Sequence, residues 1–297
     1  MLAADALDVV RGHDAVLMGA MGDPSVPDHL TLWESVLALR QGLDLWANLR
    51  PARLLEGIRS PLADRRPSEV DMLFVRENSE GEYAGIGGRC HRGFPSEVAI
   101  ETSVFTRGGI KRVLGYAFSL AEKRRGVVTS ATKSNASRFG YVLWDEVADE
   151  VAAEHPDVQY ERVLVDALAA RMVRDPASLD VVVASNLFGD ILTDLAAAIQ
   201  GGMGMAASAN IAPGSAMPGV FEPVHGSAPD IAGQGLANPA GAIWSASLML
   251  EHLGEPEAAE QLLRALENVC REGPRTRDIG GDATTREVGE AIAAQLN

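Results

Sequence analysis

Short apolar runs without polar interruption alternate along this chain with segments whose apolar residues recur at helical spacing. The clearest runs lie in residues 14–22, 71–77, 125–135 and 180–184. Such runs are typical of strands covered on both faces. Helical spacing occurs in residues 1–12, 31–43, 106–123, 141–153, 240–252 and 257–272. The alternation predicts an α/β fold in which much of the sheet is parallel.

Other stretches carry weaker patterns. Residues 96–105 alternate polar with apolar side chains, which predicts a partly exposed strand. Residues 80–88 are rich in glycine, so we expect no regular structure there. Residues 201–204 and 213–218 belong to a predicted long loop region, and the two helical segments after it are expected to close the chain.

The stretch from Asp180 to Leu195 predicts a strand, a turn and a helix, with Ser185 and Asn186 able to cap the helix. On this helix, Asp190 and Asp194 are one turn apart and share a face. The apolar stripe expected beside them consists of Leu187, Ile191 and Leu195. Two interpretations stay open: a pair of solvated acids, or a site for Mg²⁺ or Mn²⁺, which prefer oxygen ligands.

Five further charged residues stand at the ends of predicted elements: Arg40, Arg50, Arg76, Lys133 and Asp166. Taken singly, each is explained by solvation or a surface ion pair. Taken together, the arginines have the paired donors that match the carboxylates of a dicarboxylic acid. A lysine that faces carboxylates can carry a proton when its pKa is tuned.

Composition narrows the classes of function. The 297 residues include 41 Asp plus Glu against 26 Lys plus Arg, which argues against nucleic acid or an anionic membrane as partners. Two separated cysteines, no signal-peptide pattern and no long apolar run lead us to expect an intracellular, cytoplasmic protein. The sequence contains no G-x-G-x-x-G, P-loop, H-E-x-x-H or G-x-S-x-G motif.

Four stretches together resemble the β-decarboxylating dehydrogenases, the family of isopropylmalate, isocitrate, tartrate and D-malate dehydrogenases. They are Ala-Asn-Leu-Arg-Pro at 47–51, Val-Arg-Glu-Asn-Ser-Glu-Gly-Glu-Tyr at 75–83, Ser-Asn-Leu-Phe-Gly-Asp-Ile-Leu-Thr-Asp at 185–194 and Glu-Pro-Val-His-Gly-Ser-Ala-Pro-Asp at 222–230. The resemblance covers nearly the whole chain. It implies an isopropylmalate dehydrogenase-like mixed sheet.

The resemblance also implies roles for single residues. Asp190 and Asp194 would bind Mn²⁺ or Mg²⁺, with Asp166 supplied by the other subunit of a homodimer. The substrate carboxylates would be held by Arg40, Arg50 and Arg76. Tyr83 and Lys133 would handle protons, Lys133 also reaching across the dimer interface. The residues implied for nucleotide binding are His225, Gly226, Ser227, Ala228, Asp230, Ile231 and Asn238. NAD is favoured because Asp230 repels a 2′-phosphate.

The resemblance further implies two domains. Residues 1–45 plus 201–297 would form a discontinuous nucleotide-binding domain, and residues 46–200 a substrate, metal and dimerisation domain. Relative to the family, we expect the first domain to be shortened, with its first strand-helix unit absent. Two alternatives stay open: either the true start lies upstream of this sequence, or the sheet edge and the cofactor loop are incomplete.

Stretches such as Pro-Asp-His-Leu-Thr-Leu-Trp at 27–33 look most like the tartrate and D-malate branch. The polar Asp28, His29 and Thr31 would suit a substrate with a small or hydroxyl group at C3. The hypothesis is therefore NAD- and metal-dependent oxidative decarboxylation of a D-malate- or tartrate-like hydroxy acid. The alternatives are a 3-isopropylmalate dehydrogenase and a shortened, non-catalytic homologue that acts as a binding or regulatory subunit.

Overall fold

The structure is a computed structural model that describes residues 2–296, so Met1 and Asn297 lie outside it. The strands are β1 (Ala15–Leu17), β2 (Ala47–Arg53), β3 (Asp71–Glu77), β4 (Gly81–Cys90), β5 (Val98–Val104), β6 (Val127–Thr132), β7 (Gln159–Leu164), β8 (Val181–Ala184), β9 (Ala207–Ile211) and β10 (Gly219–Pro223). The helices are α1 (Ala6–Arg11), α2 (Asp28–Trp33), α3 (Val36–Gly42), α4 (Arg107–Ala121), α5 (Gly140–Glu154), α6 (Val165–Arg174), α7 (Asn186–Ile199), α8 (Ala240–His252), α9 (Pro256–Glu272) and α10 (Thr285–Ala294).

Eight of these strands form one mixed sheet in the order β1-β10-β9-β2-β3-β8-β6-β7. At one edge β1 pairs parallel with β10, and at the other the strands β3, β8, β6 and β7 are all parallel to one another. The strands between, in the order β10, β9, β2 and β3, pair antiparallel with their neighbours. The expected mixed α/β sheet is therefore confirmed. The proposed division at residues 45/46 and 200/201 stays a prediction, and the sheet continues across it through the β2-β9 pair.

The valine run of β8 is explained by helices on both faces of the sheet. Val182 packs into a core cluster with residues of α7, α8 and α9, whereas Val181 and Val183 pack into a second cluster with residues of α4 and α5. Successive side chains of a strand point to opposite faces, so both faces must be apolar where both are covered. β8 therefore carries no polar alternation.

The glycine-rich stretch expected to be irregular is instead strand β4, and that expectation was wrong. β4 pairs antiparallel with β5 in a separate two-stranded ribbon. Gly87 lies so close to β5 that a Cβ there would be 2.1 Å from the Ile100 carbonyl oxygen, and Gly85 has φ +72°. The glycines thus permit close pairing and a bend, rather than preventing a strand.

Two further elements differ from expectation. β9 lies inside the predicted long loop region, where its small residues fit a position buried between β10 and β2. The chain closes with a third helix, α10, after the two that were expected. Its start has a capping box, because Thr284 and Glu287 exchange side-chain and backbone hydrogen bonds. None of the helices described between residues 2 and 296 is long and apolar enough to cross a membrane.

Asp180 joins the start of β8 to the segment before β6. Its buried carboxylate accepts hydrogen bonds from Arg124 Nε at 2.7 Å and from the Arg125 backbone N–H at 2.9 Å. We expect Asp180→Ala to lower the free energy of unfolding by about 3 kcal/mol, because it leaves these donors without their acceptor. Urea denaturation measures the change. The exposed Glu260, paired with Arg264 on one helix, is the control, and equal effects of Glu260→Ala and Asp180→Ala would contradict the prediction.

Candidate active site

The three predicted substrate arginines converge on one cavity of about 270 Å³. Arg40, Arg50 and Arg76 are all buried, at 6%, 6% and 2% exposure. Arg50 Nη1 lies 3.2 Å from Asp190 Oδ1, and Arg76 forms an ion pair with the same oxygen. Arg40 Nη2 donates to Glu222 Oε1 at 3.0 Å. The structure thus brings three arginines, separated by 10 and 26 positions in the sequence, together with acids of α7 and β10.

The guanidinium groups of Arg50 and Arg76 are held by neutral groups as well as by an acid. Arg50 donates to Asn48 Oδ1 at 2.7 Å and to Thr193 Oγ1 at 2.6 Å. Arg76 donates through Nε and Nη2 to Asn186 Oδ1, at 3.0 and 2.7 Å. These bonds fix the orientation of both side chains before any ligand enters the cavity.

Burial and mutual repulsion shape the charges of this cluster. Burial, together with the charge of the neighbouring Arg50, lowers the pKa of Arg76 to about 9. Burial opposes ionisation of Asp190, but Arg76 and Arg50 outweigh it and lower the pKa of that carboxyl. The pKa of Asp194 is instead raised, by burial and by the charge of Asp190. The pKa values of the two aspartates on this helix are therefore shifted in opposite directions.

Asp190 and Asp194 both line the cavity, as their spacing on α7 predicted. The stripe expected beside them is partly wrong: Ile191 is 58% exposed, and the buried side of α7 has Gly189, Leu192, Thr193 and Ala196. Ser185 stands at the N-cap of α7, but its side chain does not cap the helix.

Tyr83 points into the same cavity from the start of β4. Its hydroxyl donates to Asp190 Oδ2 at 3.2 Å, and the Arg76 guanidinium lies 5.6 Å from its ring centroid. Burial raises the pKa of Tyr83, and Asp190 adds to that effect. A phenol with a raised pKa keeps its proton at neutral pH, so it can donate that proton to a reacting atom.

The cavity has an apolar wall formed by Leu32, Val36 and Leu37 of the α2-α3 segment. The polar residues that were expected to face the substrate, Asp28, His29 and Thr31, are not part of its lining. α2 turns its Leu32 side toward the cavity instead.

Lys133 and Asp166 lie away from this cavity. Lys133 follows β6 and Asp166 is in the first turn of α6, and the two form an ion pair with each other. Hydrogen bonding from Lys133 lowers the pKa of Asp166. Within residues 2–296, no three His, Cys, Asp or Glu side chains of the one chain converge on a metal site. The single subunit thus brings Asp190 and Asp194 together, but not Asp166.

A second cavity of about 750 Å³ adjoins the first, and Ala20, His225 and Gly226 line both. Of the residues predicted to bind a nucleotide, Ser227, Ala228, Ile231 and Asn238 also line it, whereas Asp230 is exposed beside it. Ala228 has φ +46°, a conformation that favours glycine, and such strain is found at functional loops.

Comparisons with known proteins identify the family. The profile of the isocitrate/isopropylmalate dehydrogenase family matches residues 1–292. The chain belongs to the isocitrate/isopropylmalate dehydrogenase family. A "probable tartrate dehydrogenase/decarboxylase" of Agrobacterium vitis is 52% identical over 98% of this chain and 80% of its own length. A D-malate dehydrogenase (decarboxylating) of Escherichia coli is 46% identical, over 98% of this chain and 83% of its own.

The crystal structure of an isocitrate dehydrogenase from Methylococcus capsulatus superimposes with a TM-score of 0.91 at 38% identity, covering 99% of this chain and 85% of that one. The resemblance inferred from the four motifs is confirmed, together with the fold. The predicted enzyme class, a decarboxylating dehydrogenase, is confirmed by the same relatives.

Sequence reasoning missed several residues of this family member's cavities. Glu222 was quoted within a motif, but its ion pair with Arg40 required the β10 geometry. Asp278 and Thr285 line the second cavity, and Asp278 accepts a hydrogen bond from Asn238 Nδ2 at 3.0 Å. The capping pattern Thr-Thr-Arg-Glu at 284–287 could have placed a helix start there.

Gly189 provides a test of how Arg76 is held. A Cβ at Gly189 would lie 2.6 Å from Arg76 Cγ, whereas one at Gly115, on α4, would meet nothing within 4 Å. We expect Gly189→Ala to lower the free energy of unfolding by about 1–3 kcal/mol through overpacking. Gly115→Ala should raise it by about 0.5–1 kcal/mol, because alanine favours a helix. Urea denaturation compares them, and equal stability of the two variants would contradict the close packing of Arg76 on α7.

Proposed function

We propose that the protein catalyses NAD- and divalent-metal-dependent oxidative decarboxylation of a D-malate- or tartrate-like 2-hydroxy acid. The convergence of Arg40, Arg50 and Arg76 with Tyr83 and the two aspartates of α7 in one cavity carries this proposal. Three guanidinium groups suit a substrate with two carboxylates. The tartrate and D-malate names of the relatives support the choice of substrate class.

A divalent cation fits the aspartates of α7. Asp190 and Asp194 face one cavity, and among the described residues no donor forms a hydrogen bond to Asp194. Burial and repulsion raise the pKa of Asp194, and a cation would relieve both costs of its ionised form. Together with Asp166 from a second subunit, the aspartates would supply the oxygen ligands that Mn²⁺ and Mg²⁺ prefer.

When bound, the cation would polarise the oxygen at C2 of the substrate, and NAD would accept the hydride from the same carbon. The arginines would bind the two carboxylates and fix the orientation of C2. Lys133 would take the proton of the C2 hydroxyl group. After carbon dioxide leaves, Tyr83 would donate its hydroxyl proton to C3.

The position of Lys133 and Asp166, outside the cavity of their own chain, supports a homodimer with shared active sites. A separate, largely apolar cavity of about 880 Å³ lies on the surface between α5, β5 and the start of α7. Phe139, at its edge, is 76% exposed. Exposed apolar surface of this kind supports contact with a second copy of the chain.

The adjoining cavity supports NAD as the nucleotide. It has glycine and alanine backbone at 226–233 that a ligand can approach closely. The exposed Asp230 beside it favours ribose hydroxyls over a 2′-phosphate. The apolar wall of Leu32, Val36 and Leu37 favours a second candidate substrate, 3-isopropylmalate, whose alkyl group would pack there.

Turnover tests the proposed function directly. The purified protein, with Mn²⁺ and NAD, is offered D-malate, tartrate and 3-isopropylmalate in separate reactions, and NADH is measured by absorbance. We expect turnover with D-malate or tartrate, and its loss with a chelator. Greater kcat/KM with 3-isopropylmalate would favour the second candidate. An absence of turnover with all three, from folded dimeric protein, would instead favour a binding or regulatory subunit.

The variant Asp190→Asn tests the role of the cation. It should lower kcat/KM by about 100-fold or more, because it weakens binding of the cation that stabilises charge on oxygen.

Mixed dimers test whether the site is shared. Neither Asp190→Asn nor Asp166→Asn should be active alone, yet a mixed dimer of the two contains one site with every aspartate intact. Random mixing in equal amounts should restore about a quarter of the wild-type activity, since half of the dimers are mixed and each has one intact site. The matched control mixes Asp190→Asn with Asp194→Asn, which leaves no intact site. Failure of the first mixture to exceed the control would show that the site is not shared.

A further inference from the structure

Glu82 is next to Tyr83 in the chain, but it does not line the substrate cavity. It lines the separate surface cavity of about 880 Å³ instead. Its Oε2 accepts a hydrogen bond from the Leu187 backbone N–H at 3.1 Å. Leu187 is in the first turn of α7, where backbone N–H groups lack partners within the helix. A carboxylate there is also favoured by the helix dipole. Glu82 therefore provides the cap that the Ser185 side chain does not.

The other oxygen of Glu82 belongs to a cluster of hydroxyl groups. Tyr141 OH donates to Glu82 Oε1 at 2.7 Å, and the hydroxyls of Tyr141 and Ser185 are 2.6 Å apart. The Tyr141 ring is stacked on Phe188 of α7, with ring centroids 4.7 Å apart. Burial raises the pKa of Tyr141, and Glu82 raises it further, so this hydroxyl stays protonated as a donor. The cluster thus joins α5, the start of α7 and the start of β4.

The residues on either side of Glu82 contact α7 as well. Asn186 Nδ2 donates to the Glu80 carbonyl oxygen at 3.1 Å. A Cβ at Gly81, which has φ +72°, would lie 3.3 Å from Asn186 Cβ, so the chain passes α7 closely here. Beyond this contact the chain turns into the cavity, where Tyr83 OH bonds to Asp190. The segment that positions Tyr83 is thereby bound to the helix that has the two aspartates.

We infer that Glu82 is a positioning residue for the proposed reaction, fixing the distance between the Tyr83 hydroxyl and the aspartates of α7. The need for it arises from the Tyr83–Asp190 hydrogen bond. Under the proposed function, Asp190 would also bind a cation, which competes with Tyr83 for the Asp190 carboxylate, so a second contact is needed to hold Tyr83 during the reaction. The Glu82 carboxylate lies outside the cavity and keeps its partners throughout. This inference rests on the proposed function.

Steady-state kinetics of Glu82→Ala and Glu82→Gln test the inference. Loss of a group that orients a metal-site residue costs about 10- to 100-fold, and we expect Glu82→Ala to lower kcat by that factor. KM for the hydroxy acid should change far less, because Arg40 and Arg50 are held by other residues. Glu82→Gln should lose less, since its amide oxygen can accept from Leu187 while its amide nitrogen donates to Tyr141.

A double-mutant cycle shows whether Glu82 acts through Tyr83. If it does, Glu82→Ala should lower kcat by about 10- to 100-fold in the wild type but by less than about threefold in a Tyr83→Phe background. A residue that only stabilises the fold would cost the same factor in both backgrounds. Equal costs, or an unchanged kcat for Glu82→Ala, would overturn the inference while leaving the proposed function standing. No turnover by the unaltered protein would overturn both.

Hydrogen exchange supplies a readout without turnover. In the metal-free protein, Glu82→Ala should speed amide exchange in the first turn of α7 by about 10-fold or more, because the Leu187 N–H loses a charged acceptor. Tyr141→Phe should give a smaller acceleration. The matched control is Tyr160→Phe: Tyr160 packs against the same core cluster, but its buried hydroxyl has no partner among the described residues. Exchange that is equally fast in the wild type and in Glu82→Ala would contradict the cap.

Discussion

Three buried guanidinium groups are the feature on which the rest of the structure depends. A charge removed from water is costly unless it is paired and hydrogen-bonded. Arg40, Arg50 and Arg76 meet this requirement through Glu222 and Asp190, which come from different parts of the chain. The fold must therefore hold β2, β3, β10 and α7 in one fixed arrangement. The antiparallel centre of the sheet provides it, because β2 lies between β9 and β3.

A buried network of amides extends this constraint through the sheet. Asn210 on β9 accepts from the side-chain amides of Asn48 and Asn78, at 2.9 and 3.1 Å, and donates to Glu222 Oε1 at 3.0 Å. Asn48 in turn accepts from Arg50. A single asparagine thus links the acid that holds Arg40 to the amide that orients Arg50. Such a network favours one arrangement because a broken bond leaves a buried amide unpaired, although Asn78 Oδ1 has no partner among the described residues.

The sequence predicted those parts of the fold in which the residue pattern is compatible with a single type of secondary structure. Unbroken valines predicted β8, and a spacing of four placed Asp190 and Asp194 on one side of α7. The glycines of β4 were misinterpreted because glycine permits both a loop and a closely paired strand, and only the approach to Ile100 distinguishes them. β9 was missed because its residues pack against α8, and this contact between distant parts of the chain cannot be read from the local pattern of residues. The roles of Glu82 and Glu222 were beyond sequence reasoning, because the hydrogen bonds that define these roles span 59 or more positions of the chain.

The charge of the cavity explains how metal and substrate could depend on each other. Its three arginines are matched by three carboxylates, those of Asp190, Asp194 and Glu222, so their formal charges cancel. On the proposed function, a dicarboxylate alone would add two negative charges to a partly desolvated site, and a divalent cation alone two positive ones. The two together restore neutrality. Because charge in such an environment is far more costly than in water, each should favour entry of the other. The raised pKa of Asp194 and the lowered pKa of Arg76 are the marks of that environment in the free protein.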